Sequence, residues 1–171
     1  MIEKLLDSYR QSFDITEDYT IGSTVYDAYG YCNITNSKYV LVKKAELWRA
    51  LCFEHVFFRQ MPEVKPSDIE AFMEQTIDYI EPALVRKGEK NPVKDHMYSY
   101  VTGIFICEDG ISHETAACVK KSRFHRDYML SIRGYCDLRL MVIDLKNGKI
   151  TGNAAARDLV KDFRKYLYNA S

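Results

Sequence analysis

The sequence predicts an α+β fold, with mixed α/β as the neighbouring class: one central sheet, mostly antiparallel or mixed, of about 4–5 strands packed by about five helices. Three observations predict it. Apolar residues recur at helical spacing near both ends and in the middle of the chain. Alternating apolar and polar stretches stand between those segments, and no linker or low-complexity run divides the 171 residues, which read as one globular domain.

The first helix is expected from Ile2 to Ser12, where Ile2, Leu5, Leu6, Tyr9 and Phe13 fall on one stripe. Asp14 to Ser23 reads as a polar connector. Thr24 to Ile34 alternates as a strand does, followed by a turn at 33–37 and a short strand from Lys38 to Val42. Ala45 to Gln60 is apolar nearly all round and is read as a buried helix. Ser67 three residues before Glu70 resembles a capping box, and the stripe Ile69, Phe72, Met73, Thr76, Ile77, Ile80 follows it. Pro82 lacks an amide proton, so that helix is expected to end or bend near Ile80. Arg86 to Asp95 is a polar loop and Tyr98 to Cys107 a largely buried strand. Residues 112–124 fit a helix capped by Ser112, with Lys120, Lys121 and Arg123 complementing its C-terminal dipole. The longest β signal runs from Met129 to Leu145, with Gly134 marking a bend, and Asn147-Gly148 turns it back into a strand at 149–151. An amphipathic helix capped by Asn153 closes the chain.

The 24 basic and 24 acidic side chains cancel, so no global field steers the protein toward nucleic acid or an anionic membrane. The amino-terminal stretch is broken by charge and reads as neither signal peptide nor membrane span. Five scattered cysteines without a CxxC pair suit thiols in a reducing cytoplasm. No GxxxxGK[ST], GxGxxG or GxSxG occurs, and no cofactor is expected.

The candidate binding residues lie on the long strand. Alternation places Arg133, Asp137 and Arg139 on one side, a carboxylate between two guanidinium groups, with Tyr135 among them. That pattern suits an anionic ligand; it also suits a solvated sheet face with a weak ion pair. Lys120, Lys121, Arg123 and Arg126 add to the positive surroundings. His125 and His96 border strands and are the histidines best placed for a site. The alternative is a metal-dependent phosphodiesterase in which Asp144 and Lys146 share a strand face and Glu108 or Asp109 supplies a second acid, with Glu54 on a helix. No metal-ligand spacing stands out. Nucleic acid is disfavoured, because Asp137 occupies a position where an RNA-binding sheet would need an aromatic ring. Tyr26, Tyr29 and Tyr31 offer an aromatic surface for self-association as a homodimer.

Three stretches carry a family resemblance: Phe13-Asp14-Ile15-Thr16-Glu17-Asp18-Tyr19; Asp95-His96-Met97 leading into Val101-Thr102-Gly103-Ile104; and Phe124-His125 through Gly134-Tyr135-Cys136-Asp137-Leu138-Arg139-Leu140 to Val142-Ile143-Asp144-Leu145. Together they resemble a domain-of-unknown-function family of clostridia and other Firmicutes, over about residues 13–160. The resemblance implies a bacterial, intracellular, single-domain protein and brings no catalytic residues with it.

Overall fold

The computed structural model describes residues 1–39 and 46–169, with side chains over 1–34 and 50–165. Elements follow in the order α1 (Ile2–Tyr9), β1 (Asp14–Ile21), β2 (Thr24–Tyr39), β3 (Glu46–Met61), α2 (Pro66–Gln75), a π-helical segment (Thr76–Val85), β4 (His96–Cys107), α3 (His113–Lys121), β5 (His125–Asp127), β6 (Tyr135–Asp144), β7 (Lys149–Gly152), a 3-10 turn (Ala154–Ala156) and α4 (Arg157–Asn169). The fold is α+β, but the expected 4–5 strands and five helices are overturned. One mixed sheet of seven strands carries four α-helices among the described residues.

The sheet order is β1-β2-β3-β4-β6-β5, and β7 pairs with the same edge of β6 as β5 does, farther along it. β3, β4 and β6 run parallel at the centre, while β1, β2, β5 and β7 attach antiparallel around them. Parallel central strands require cover on both faces. One core gathers Ile69 and Phe72 of α2, Ile80 and Val85 of the π segment and Val119 of α3 over Phe57, Val101, Phe105, Leu138 and Leu140. The second gathers Leu5 and Leu6 of α1 and Val160 and Phe163 of α4 over Val56, Phe58, Ile104 and Met141.

The double cover explains the main correction. The stretch expected as a helix over 45–60 is β3: Val56 and Phe58 fill one core and Phe57 the other, so an apolar residue is needed at every position and the period of two disappears. The expected connector at 14–23 is mostly β1, an edge strand whose exposed side chains read as polar. The expected turn at 33–37 lies within β2, which runs on to Tyr39; the remainder of the 38–42 strand lies outside the described residues.

The second correction concerns 129–145. Only Tyr135–Asp144 is strand; Met129, Leu130 and Ser131 have φ of 50°, 53° and 66°, a left-handed run that no strand tolerates. These residues form the loop joining β5 to β6, closed by Tyr128 N–H to Gly134 O at 2.9 Å and Arg133 N–H to Tyr128 O at 3.1 Å. Gly134 has φ 70°, and a Cβ there would come within 2.0 Å of the Met97 carbonyl oxygen, so the position admits only glycine.

Helix starts follow local chemistry. α2 begins at Pro66 rather than after Ser67, and the Asp68 carboxylate accepts the Lys65 N–H at 2.8 Å. Pro82 does not end the helix; the chain widens into the π segment, which carries the proline and turns Glu81 fully inward. There Glu81 accepts from Arg86 Nε at 2.7 Å, from Tyr128 Oη at 2.7 Å and from Arg126 Nη1. Ser112 Oγ accepts the Thr115 N–H at 3.0 Å at the start of α3, as its sequence predicts.

Candidate functional site

The second core stops at Val56, Ile104 and Met141. Beyond it, toward the amino-terminal halves of β4 and β6, the same sheet face changes character. Strand register sets Glu54, Tyr100, Asp137 and His125 in one cross-strand row. Thr102 and Arg139 stand side by side on one flank of that row, and Cys52, Tyr98, Tyr135 and Asp127 on the other. Period-two alternation aims all of them to one side.

Arg139 is the centre of this face. Its guanidinium carbon lies 3.2 Å from the Tyr100 ring centroid, and Nη1 stands 3.6 Å from Glu54 Oε1, outside hydrogen-bond range. The Thr102 hydroxyl donates to that same carboxylate oxygen at 2.8 Å. None of the Arg139 donors has a hydrogen-bond acceptor among the described residues. Five N–H groups are thus held in a planar fork, oriented by a ring and a carboxylate, and partly open to solvent.

The neighbouring rings are tyrosines. Tyr98 packs on Tyr100 at 4.8 Å between centroids and on Tyr135 at 6.1 Å, and His125 stacks on Tyr135 at 5.7 Å. Burial and the contact with Cys52 push the Tyr98 hydroxyl up to about 12; the bond to Tyr100 and burial raise that of Tyr135. Both stay neutral donors at physiological pH. At the border with the second core, burial raises Tyr9, whose hydroxyl also feels Glu54 and Arg139.

Asp137 Oδ1 lies 2.6 Å from His125 Nδ1, and Asp127 Oδ2 lies 3.0 Å from Nε2. Two carboxylate acceptors require protons on both ring nitrogens, and these bonds raise the His125 pKa. Asp137 and His125 therefore pair directly, and Arg139, two residues after Asp137 on β6, stands on the same side of the sheet.

Arg133 and His96 do not join them. Arg133 lies in the loop before β6, where its Nη1 donates to the Pro92 carbonyl at 3.2 Å. His96 is 4 % exposed; its Nδ1 donates to the Arg133 carbonyl at 2.6 Å, and Nε2 accepts from Ser99 Oγ at 2.8 Å. Burial lowers its pKa, which fits a neutral ring locking the loop to β4. The other cations of this stretch are dispersed: Lys120 and Lys121 end α3, and Arg126 serves Glu81. Of the three expected surface tyrosines, Tyr26 is buried, whereas Tyr29 and Tyr31 are half-buried and the Tyr29 hydroxyl oxygen lies 2.7 Å from His55 Nδ1.

The acids of the phosphodiesterase alternative lie at the far end of the sheet. The Asp144 carboxylate accepts from Asn147 N at 2.9 Å, Asn147 Nδ2 at 2.8 Å and Ile111 N at 3.3 Å, a turn-closing set that keeps it ionised. Glu108 accepts from Gln60 Nε2 at 2.7 Å, and the Asp109 N–H donates to the Pro62 carbonyl. Lys146 forms no ion pair with a described residue. Glu54, on β3 and not a helix, is seven ladder positions away, roughly 23 Å. No three His, Cys, Asp or Glu side chains are grouped to hold a metal ion among the described residues.

Sequence reasoning missed Tyr98, Tyr100 and Thr102, although their alternation along β4 was visible. Tyr135 was seen, but among neighbours that the loop removes. No helix among the described residues is long and apolar enough to cross a membrane. No curated protein and no solved structure matches the chain. Residues 1–165 match the family described as "Domain of unknown function (DUF8052)", and the chain belongs to that family.

Proposed function

We propose that the protein is a binding module that receives, on the open half of this sheet face, a planar ring-bearing ligand with a carboxylate or phosphoryl group. One observation carries the reading: the Arg139 fork is stacked on Tyr100 with its donors free of described acceptors. A guanidinium held flat loses little freedom when an acid group docks on it, and the adjacent tyrosine faces accept a ring. The face is not a simple basic patch, since Glu54, Asp127 and Asp137 stand against Arg139 and His125. That mixture disfavours extended polyanions here and favours a small ligand with one acidic group. The phosphodiesterase reading draws no support, because the Asp144 carboxylate is occupied by three turn donors.

Nuclear magnetic resonance titration of the full chain with benzoate, acetate and benzyl alcohol tests the proposal. Benzoate is expected to shift the ring resonances of Tyr98, Tyr100 and Tyr135 saturably, with acetate and benzyl alcohol much weaker. Arg139→Ala removes the benzoate response, and Arg139→Lys does not restore it, since an ammonium offers neither fork nor stacking plane. A benzoate response that survives Arg139→Ala, or no response at all, overturns the reading.

A further inference from the structure

A groove of about 650 Å³ runs between β7 and the first half of α4. Lys120 of α3 and Arg157, Lys161 and Arg164 of α4 line it together with Thr151, and no carboxylate does. None of the four cations is ion-paired to a described residue, in a chain whose formal charge is zero. Arg157, Lys161 and Arg164 stand at i, i+4 and i+7, so they share one side of the helix. Asp158 and Asp162 fall on the neighbouring flank and do not line the groove, and Asp162 sits 3.6 Å from Lys165. Like charges at this spacing repel one another, and none of the three is relieved by an ion pair within 4 Å among the described residues.

The walls are fixed. Arg164 Nη2 donates to the Ile150 carbonyl at 3.2 Å, and Gly152 brings the β7 backbone so close to α4 that a Cβ would lie 2.6 Å from Val160 Cγ2. The volume is that of a small-molecule site. Guanidinium forks match phosphoryl oxygens in pairs and lysines serve as point charges, so four converging cations call for several negative charges in a short length. We infer that this groove is a second binding site and takes a di- or triphosphate group, either free or carried by a nucleotide. It shares no residue with the face around Arg139.

Calorimetric titration of the full chain with inorganic tripolyphosphate, and separately with ATP, at about 50 mM salt decides the matter. Saturable binding is expected, weakening as salt rises and falling about tenfold or more in Arg157→Gln/Lys161→Gln. Tighter binding of ATP than of tripolyphosphate identifies a nucleotide as the source of the phosphates, and equal binding identifies the free polyanion. Both double-variant positions are exposed, and an unchanged melting temperature verifies that the variant folds. Absence of saturable binding by either probe, or binding that the double variant retains, overturns the inference.

Discussion

His125 sits between two carboxylates that act on it in the same direction. Asp137 and Asp127 each hold a ring nitrogen, and their bonds raise its pKa above the ordinary value of about 6.5. A base with a raised folded pKa contributes stability that is complete below its unfolded pKa and is lost as pH rises through the folded one. The ring is 44 % exposed, so solvent screens most of that contribution. Its charge matters more for the site than for the fold. Histidine titration followed by nuclear magnetic resonance should give a midpoint above the ordinary value, and Asp137→Asn should bring it back down. An unchanged midpoint in that variant removes Asp137 as the cause. The same site shows what was readable in advance: Asp137 and Arg139 were identifiable from alternation, because 135–142 does alternate, and His125 from its place beside a strand. Arg133 was not, because Ser131, Ile132 and Leu130 mimic the alternation while Leu130 stands 95 % exposed on a left-handed turn.

Between β5 and β7 the outer edge of β6 is left without a strand; the Phe124 carbonyl and the Asn153 N–H take two of its backbone groups, and the Asn153 side chain takes the others. Asn153 Oδ1 accepts from Leu140 N at 3.1 Å and from Ala156 N at 3.0 Å; Nδ2 donates to the carbonyls of Leu138 at 2.9 Å and Ser122 at 3.1 Å. All four hydrogen-bonding capacities of the amide are used in a residue that is 5 % exposed. Sequence reasoning saw only the helix cap, since nothing local announces that the same amide also completes a sheet edge. Asn153→Asp keeps the two acceptor bonds and turns the donors into a carboxylate oxygen facing two carbonyls. A loss of about 2–4 kcal/mol in urea unfolding is expected, with Asn153→Ser losing less. A loss under about 0.5 kcal/mol would mean that water closes the edge equally well. The element-scale errors share this origin: β3 lost its period to double burial and β1 its apolar signal to an edge position, both set by neighbours distant in sequence.

At the scale of the whole molecule, the pH dependence of stability is a sum over such sites, and one residue dominates it. His55 of β3 is 3 % exposed, its Nδ1 is hydrogen-bonded to the Tyr29 hydroxyl at 2.7 Å and its ring stacks on that tyrosine at 6.1 Å. Burial, aided by Lys87, lowers its pKa to about 4. The unfolded chain then binds more protons than the native one between about 4 and 6.5, so stability falls as pH falls through that window. The size is roughly 3 kcal/mol, from 1.36 kcal/mol per unit. His96, also lowered by burial, adds a loss of the same sign, and Asp127 and Asp144, both held below the usual carboxylate range, add further losses in stronger acid. His125 works in the opposite sense but is screened. Carboxylates alone would leave the stability nearly flat down to about pH 5, whereas the buried imidazole makes it decline from near neutrality. Urea unfolding of the wild type and of His55→Gln, which keeps an acceptor for Tyr29, separates the two. Between pH 7 and pH 4 the wild type should lose about 3 kcal/mol more than the variant. Equal losses would show that His55 is free to take its proton in the folded state, and that the packing around Tyr29 and Phe57 opens to admit it.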